Sequence, residues 1–434
     1  MYALQSPTLP LPAVPAEADA AAPAGRRDYL FLQGPIGPFF GLLGRRLRRA
    51  GQGVHRINFN GGDRLFWRLP GAVDFRAGAA QWPGFIAARL DAWRITDLVL
   101  FGDCRPLHRQ AAALARQRGI AVHVFEEGYL RPNWVTLESG GVNGHSALPR
   151  DPGWFLAAAA AAPPWDEGAP VGGSFLRRAA ADVLYNLATV LATPAYPAYR
   201  THKPWHPLAE YAAGARRFPI RPWVRRRVRG AVRQILAQER PRYLFPLQLD
   251  ADAQIRHHSP FGRMAPAIEA VITSFARRAP ADALLIVTEH PLDAGVVDLL
   301  RIARERAAAA GVAQRVICLP AGSPMELLPG SRGMVTVNST MGIVALQLGL
   351  PVTVLGRAVY DLRGLTFQGG LDDFWTQAGP PQRALFDAFR RVVAQRTQIN
   401  GGFHSAAGLA LAVHGAAARL APSAAAAGRA AART

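Results

Sequence analysis

Four polar clusters in this sequence have residue types and spacing that suit chemistry on an anionic substrate. The first is Glu126-Glu127, at the end of an apolar run. Neighbouring residues on a strand point to opposite sides, so one of the two carboxyls enters a cleft and the other does not. A carboxyl shut away from water titrates high and can exchange a proton with a reacting oxygen. A solvated loop acid is the ordinary alternative. The second cluster is Gln248, Asp250 and Asp252, followed at once by Arg256, His257 and His258. In extended chain, Asp250 and Asp252 share one side. With basic groups behind them they could hold an anionic sugar and present a carboxylate to its anomeric carbon. The same Asp-x-Asp spacing also suits a metal–nucleotide complex, or a plain surface loop. The third is Glu289-His290-Pro291, where the imidazole can donate to a phosphate. The fourth is Asn338-Ser339-Thr340, between an apolar run and a helical pattern. Free N–H groups and hydroxyls at such a start suit phosphate, and Asn338 or Ser339 can cap the helix at the same time.

These clusters need elements that bring them together. Short apolar runs over Asp28–Leu32, Val54–Phe59, Asp97–Phe101, Ala121–Phe125, Tyr243–Pro246, Leu284–Thr288, Val316–Leu319, Met334–Val337 and Val352–Leu355 read as buried strands. Helical spacing over Phe39–Ala50, Leu107–Arg118, Met264–Arg278 and Ser339–Leu348 falls between them. Strand, helix, strand with short glycine-bearing loops predicts parallel βαβ units. The pattern occurs twice, with a crossing near Arg229–Glu239. This predicts an α/β fold of two Rossmann-like domains facing a cleft. The expected division is an arm over 1–26, a first domain over 27–230 with a helical, basic insertion, a second over 231–405, and an alanine-rich tail over 406–434, partly disordered. In open parallel sheets ligands bind beyond the carboxyl ends of the strands, where all four clusters fall.

The chain has 434 residues, half of them hydrophobic, which is enough for two cores. Its two cysteines, Cys104 and Cys318, form no zinc pattern and suit a reducing compartment. The beginning has no basic stretch leading into a continuous apolar core, so no signal peptide is expected. No run reaches the roughly 18–20 apolar residues of a membrane span. The formal net charge of +20 favours anionic partners. Arginines cluster around Arg46 and between Arg216 and Arg229, a pattern suited to an anionic membrane surface. Nucleic acid is not expected as a partner, because no recognition module accompanies the charge. Neither a GxxxxGK[ST] loop nor a complete dinucleotide fingerprint is present, which argues against an NTPase or a dehydrogenase.

Several segments resemble the capsule polysaccharide proteins called KpsS or LipB. They are Phe31 to Phe40, Arg56 to Asp63, Phe101 to His108, Phe125 to Glu138, Glu289 to Asp293, and Asn338-Ser339-Thr340 running to Tyr360–Thr366 and Leu371–Trp375. The resemblance spans roughly Tyr29 to Trp375, most of the chain. It implies a GT-B-like, metal-independent transferase without a cofactor. Such an enzyme carries the sugar acid Kdo from CMP-β-Kdo to a lysophosphatidylglycerol acceptor. Retention of configuration implies a carboxylate nucleophile, matched by Asp252 and then Asp250. An upstream glutamate matches Glu126 or Glu127. His290, Pro291, Asn338, Ser339 and Thr340 match the nucleotide site. Gln248, Arg256, His257, His258, Asn60, Asp63, Asp103 and Arg131 fall on the substrate side. The implied setting is cytoplasmic and peripheral on the inner membrane, with a capsule assembly or export complex as partner. A non-catalytic export adaptor is the competing expectation.

Overall fold

The computed structural model describes residues 25–201, 204–205, 207–217, 219–320 and 324–421. Nearly all of the arm expected over 1–26, and the tail beyond 421, lie outside these residues.

The first half runs β1 (Asp28–Phe31), α1 (Phe39–Arg49), β2 (Gly53–Asn58), α2 (Gly61–Phe66), β3 (Ala72–Asp74), α3 (Trp82–Ala92), β4 (Asp97–Phe101), α4 (Pro106–Gln117), β5 (Ala121–Glu127) and β6 (Trp134–Ser139). Strands β3-β2-β1-β4-β5 lie side by side in that order, all parallel. Each crossover passes over one face through a helix, which is why parallel strands here read as continuous apolar runs. Leu98, Val99 and Leu100 of β4, for example, are fully buried. Helix α1 turns Phe39, Phe40, Leu43 and Leu47 onto the sheet and leaves Arg45, Arg46 and Arg49 exposed. The insertion follows as α5 (Pro152–Ala161), α6 (Phe175–Leu191), α7 (Pro207–Arg217) and α8 (Arg221–Leu236).

The second half repeats the plan. Its elements are β7 (Arg242–Pro246), α9 (Ala253–His257), α10 (Met264–Arg278), β8 (Leu284–Thr288), α11 (Leu299–Ala309), β9 (Val316–Leu319), α12 (Pro324–Leu327), β10 (Gly333–Thr336), α13 (Met341–Gln347) and β11 (Val352–Val354). The sheet order β11-β10-β7-β8-β9 is again wholly parallel. Counted from its own first strand, it repeats the 3-2-1-4-5 order of the first half, so each sheet has a switch point beside its first strand.

The expected partition needs a correction at its far end. After α14 (Leu371–Gln377) and α15 (Arg383–Thr397), the chain returns to the first domain. Strand β12 (Gln398–Asn400) pairs antiparallel with β6, and β6 pairs antiparallel with β5. Helix α16 (Ala406–Leu420) then packs on α1, with Arg46 Nη2 3.2 Å from His414 Nδ1. Tyr29 also donates to the Leu420 carbonyl at 2.5 Å. The physical reason is the outer edge of β6. Without β12 it would expose unpaired backbone groups, and the core around Phe39 and Phe125 would lack Ile399, Phe403 and Ala412.

The carboxyl ends of both sheets meet across a cleft, the GT-B arrangement. Cys104, just after β4, lies 3.2 Å (Sγ to Nε2) from His258, just after α9. Arg150 donates to the Ala358 carbonyl. Apolar side chains of the first half, Tyr129, Leu130 and Phe155, join the core of the second.

Candidate active site

Strand β5 carries its register to its last residue, so Glu126 and Glu127 point to opposite sides. Glu126 faces the cleft. One of its oxygens accepts from the Glu127 N–H at 3.0 Å, and the other lies over Gly102, 3.5 Å from where a Cβ there would stand. Burial pushes the Glu126 carboxyl up to about 7, and the charges of Glu127 and Asp252 push the same way. Glu127 has the opposite fate. Burial would raise it too, but His404, Arg131 and Arg178 hold it below the usual carboxylate range, with His404 Nε2 3.3 Å from Oε1. Glu138 is also pushed up to about 7 by burial, yet Tyr129 and Ser146 donate to its two oxygens and enclose it. Of the two sequence candidates, Glu126 is the one poised to trade a proton near neutrality.

The loop after β7 resolves its two aspartates in a similar way. Asp250 accepts from the Met264 N–H at 2.8 Å and from Arg263 Nη2 at 2.8 Å. Its carboxylate therefore anchors the start of α10. Asp252 accepts only from the Gln254 N–H, at 2.9 Å, capping α9; among the described residues its second oxygen makes no hydrogen bond. Burial raises the Asp252 carboxyl, opposed by the Gln254 N–H and by Arg131 from the other domain. Gln248 and Asn338 meet at the second switch point. The Gln248 amide donates to Asn338 Oδ1 at 2.9 Å, and its oxygen accepts from the Asn338 N–H at 3.1 Å. Asn338 Nδ2 donates to the carbonyls of Gln254 and His258. These two amides fix the loop that carries Asp252.

His290 accepts from the Leu292 N–H through Nδ1 at 3.1 Å, which leaves the proton on Nε2. Burial pushes its pKa down to about 4, helped by Arg131, Arg178 and Arg221. It is thus a neutral donor near the same arginines that act on Glu127 and Asp252. The Pro291 carbonyl is held by Arg221, and Glu289 pairs with Arg217. Ser339 Oγ accepts from the Met341 N–H at 3.2 Å. Thr340 precedes α13 directly and is half-buried.

Two other expected residues, Asn60 and Asp63, are bound into the scaffold. Asn60 and Asp63 are buried and bound into the loop after β2, where Asn60 Oδ1 accepts from the Asp63 N–H at 2.8 Å. Asp63 accepts from the Phe59 N–H at 3.0 Å and pairs with buried Arg56 at 3.1 Å. Tyr185 of α6 donates to Asp63 and accepts from Asn60. Among the described residues these bonds engage both Asp63 oxygens and the Asn60 amide, which ties the pair to the loop. Arg131 donates to the Gly128 carbonyl at 3.2 Å and reaches Glu127, Asp252 and His290 electrostatically. Arg256 and His257 are exposed on α9.

Asp103 and His258 belong to a cluster that sequence spacing did not reveal. Asp103 accepts from His145 at 3.0 Å, and the ligand atoms of Asp103, Cys104, His145 and His258 all lie within 4.8 Å of one another. Burial pushes His258 down to about 4 and raises the Cys104 thiol. These are residue types that can hold a transition metal, and they already bond one another across the cleft. His404, Cys104 and His145 were missed because their partners are distant in sequence; His404 stands 277 positions from Glu127.

A family described as capsule polysaccharide biosynthesis protein matches residues 96–404. The capsule polysaccharide export protein KpsS of Escherichia coli is 33% identical over 383 residues, covering 87% of this chain and 97% of that protein. The capsule polysaccharide modification protein LipB of Neisseria meningitidis serogroup A is 35% identical over 396 residues, covering 87% and 92%. Among solved structures, the KpsC β-Kdo 2,7 transferase of Thermosulfurimonas dismutans covers 84% of this chain and 90% of its own, at 12% identity and a TM-score of 0.38.

Proposed function

The chain belongs to the family of capsule polysaccharide biosynthesis proteins, and from that premise we propose that it is a retaining glycosyltransferase. In this reading it carries Kdo from CMP-β-Kdo to a lysophosphatidylglycerol acceptor on the cytoplasmic face of the membrane and so starts the linker of the capsule.

One observation carries the reading. Glu126 and Asp252 come from different sheets, and the charge of Asp252 helps raise the Glu126 carboxyl. Retention needs two displacements. In the first, the free oxygen of Asp252 attacks the anomeric carbon, an ester bond forms, and the bond to the CMP phosphate breaks. That phosphate is a weak base and leaves without a proton. His290, through Nε2–H, and Ser339-Thr340 hold it. Arg131 and Arg256 balance the Kdo carboxylate. In the second displacement the acceptor hydroxyl must lose its proton, and Glu126 takes it while the ester bond to Asp252 breaks. Gln248, Asn338 and Asp250 position the Asp252 loop. No step requires a metal ion.

The test is incubation of the purified chain with CMP-Kdo and a fluorescent lysophosphatidylglycerol, read by mass spectrometry. The expected product is the acceptor plus one Kdo, with a Kdo adduct on the peptide containing Asp252 when acceptor is withheld. Absence of product together with absence of donor turnover overturns the reading.

A further inference from the structure

Helix α6 is fixed along one side only. Tyr185 bonds Asn60 and Asp63, and Thr189 accepts from the Gly62 N–H at 3.3 Å. A Cβ on Gly61 would strike the Ala188 carbonyl at 2.1 Å, so the two helices touch at backbone distance. Among the described residues the other side is bare. Leu176, Val183, Leu184, Leu187, Val190 and Leu191 are 78, 50, 51, 51, 45 and 72% exposed. At 100° per residue they fall within a sector of about 120°, opposite Tyr185. Single exposed aliphatics are ordinary, but a continuous stripe on one helix marks an interaction surface. The neighbouring α7 is tied to α6 by Tyr211, which donates to Asp182 at 2.7 Å and accepts from Asn186 at 2.7 Å. At the α7–α8 turn, Ile220 and Trp223 are 55 and 80% exposed.

The exposed charges on α6 and α8 are basic; Asp182, the acid on α6, is half-buried and bonded by Tyr211 and Asn186. Arg177 is exposed beside the stripe, and Arg178 is exposed on the opposite side of the helix. Arg177 also lines, with Arg45, Arg46 and Arg49, a groove of about 720 Å³ between α1 and α16. Arg225, Arg226, Arg227 and Arg229 are exposed on α8. Among the described residues none of these arginines is in an ion pair. A second copy of the chain seated on this face would bring the same arginines together without acidic partners, as a two-fold interface must. An anionic bilayer meets both needs, with acyl chains for the stripe and phosphates for the arginines. No helix among the described residues is long and apolar enough to cross a membrane, so α6 would lie along the surface.

We infer that the bare face of α6, with Trp223, seats in the interfacial layer of an anionic lipid bilayer. This deepens the membrane placement proposed above and rests on it. The test is flotation of the full chain with vesicles of phosphatidylglycerol and phosphatidylcholine, one part to three, against phosphatidylcholine alone. Wild type floats with the anionic vesicles only, and part of that binding survives 0.5 M salt because the stripe is apolar. The double variant Leu184→Ser/Leu187→Ser lowers partition by roughly tenfold or more and loses the salt-resistant fraction, with an unchanged thermal melt. Its transfer to a detergent-dispersed acceptor stays at the wild-type rate. Equal flotation of the variant and wild type overturns the inference, as does equal binding to both vesicle types. A wild-type dimer that the variant dissociates overturns it in favour of a self-interface. If the wild type floats as expected but makes no product, the transferase reading fails and the docking surface stands.

Discussion

The loops after β2 and after β7 are built from the same materials. Each leaves a parallel strand at the cleft, each holds an amide and an acid, and each opens a short helix. They end differently. In the loop after β2, Asn60 and Asp63 satisfy each other, the Phe59 N–H, Arg56 and Tyr185. In the loop after β7, Gln248 and Asp250 are consumed in the same way, but among the described residues Asp252 keeps one oxygen without a hydrogen bond. A buried polar group that is fully bonded stabilises the fold and has nothing left to offer a substrate. A carboxylate held at one oxygen by a helix start is both aimed and available. The comparison teaches that residue type at a strand end nominates a site, while the count of remaining partners selects the residue.

The largest effect that could break this contrast lies within the second loop. Asp252→Asn is expected to lower transfer by on the order of 10³-fold or more, because an amide is a poor nucleophile, with no change in melting. Asp250→Asn is expected to cost about 1–2 kcal/mol of stability through the weakened start of α10, while the folded fraction keeps most of its turnover. Single-turnover rates and urea unfolding of both variants decide it. A dead Asp250→Asn beside an active Asp252→Asn would exchange the two roles.

The next effect sharpens the comparison across the cleft. Burial pushes the Glu126 carboxyl up to about 7, and in the proposed mechanism it acts when ionised, so turnover should rise from pH 6 to pH 8. Glu126→Gln is expected to flatten that limb and lower the rate by about 10²–10⁴-fold. A pH–rate profile with the limb intact in the variant would move the base elsewhere.

The smallest effect on transfer belongs to the first loop. Asp63→Asn leaves the buried Arg56 without its carboxylate, a loss of about 3 kcal/mol by analogy with other broken buried pairs. Urea unfolding should show that loss, while the rate per folded molecule stays near wild type. An unchanged midpoint with lost transfer would place the loop after β2 in the site after all.

Much of this architecture was legible in the residues themselves. Apolar runs such as Leu284–Thr288 and helical spacing over Met264–Arg278 match β8 and α10 to the residue, because strands buried on both faces and helices buried on one leave different periods in sequence. The clusters at Glu126-Glu127, Asp250-Asp252, His290 and Ser339-Thr340 stood at strand ends, where parallel sheets put ligands. Tertiary structure decided what sequence left open. Whether Glu126 or Glu127 titrates high depends on His404 and Arg131 arriving beside one and not the other. The choice between Asp250 and Asp252 depends on the Met264 N–H and Arg263 folding back onto the first. The return of β12 to β6 was hidden because Gln398–Asn400 is too short to leave a period and finds its partner across more than the length of a domain. Local chemistry is written in neighbouring residues; burial, charge and hydrogen-bond satisfaction are properties of what distant residues bring, and those exist only once the chain has folded.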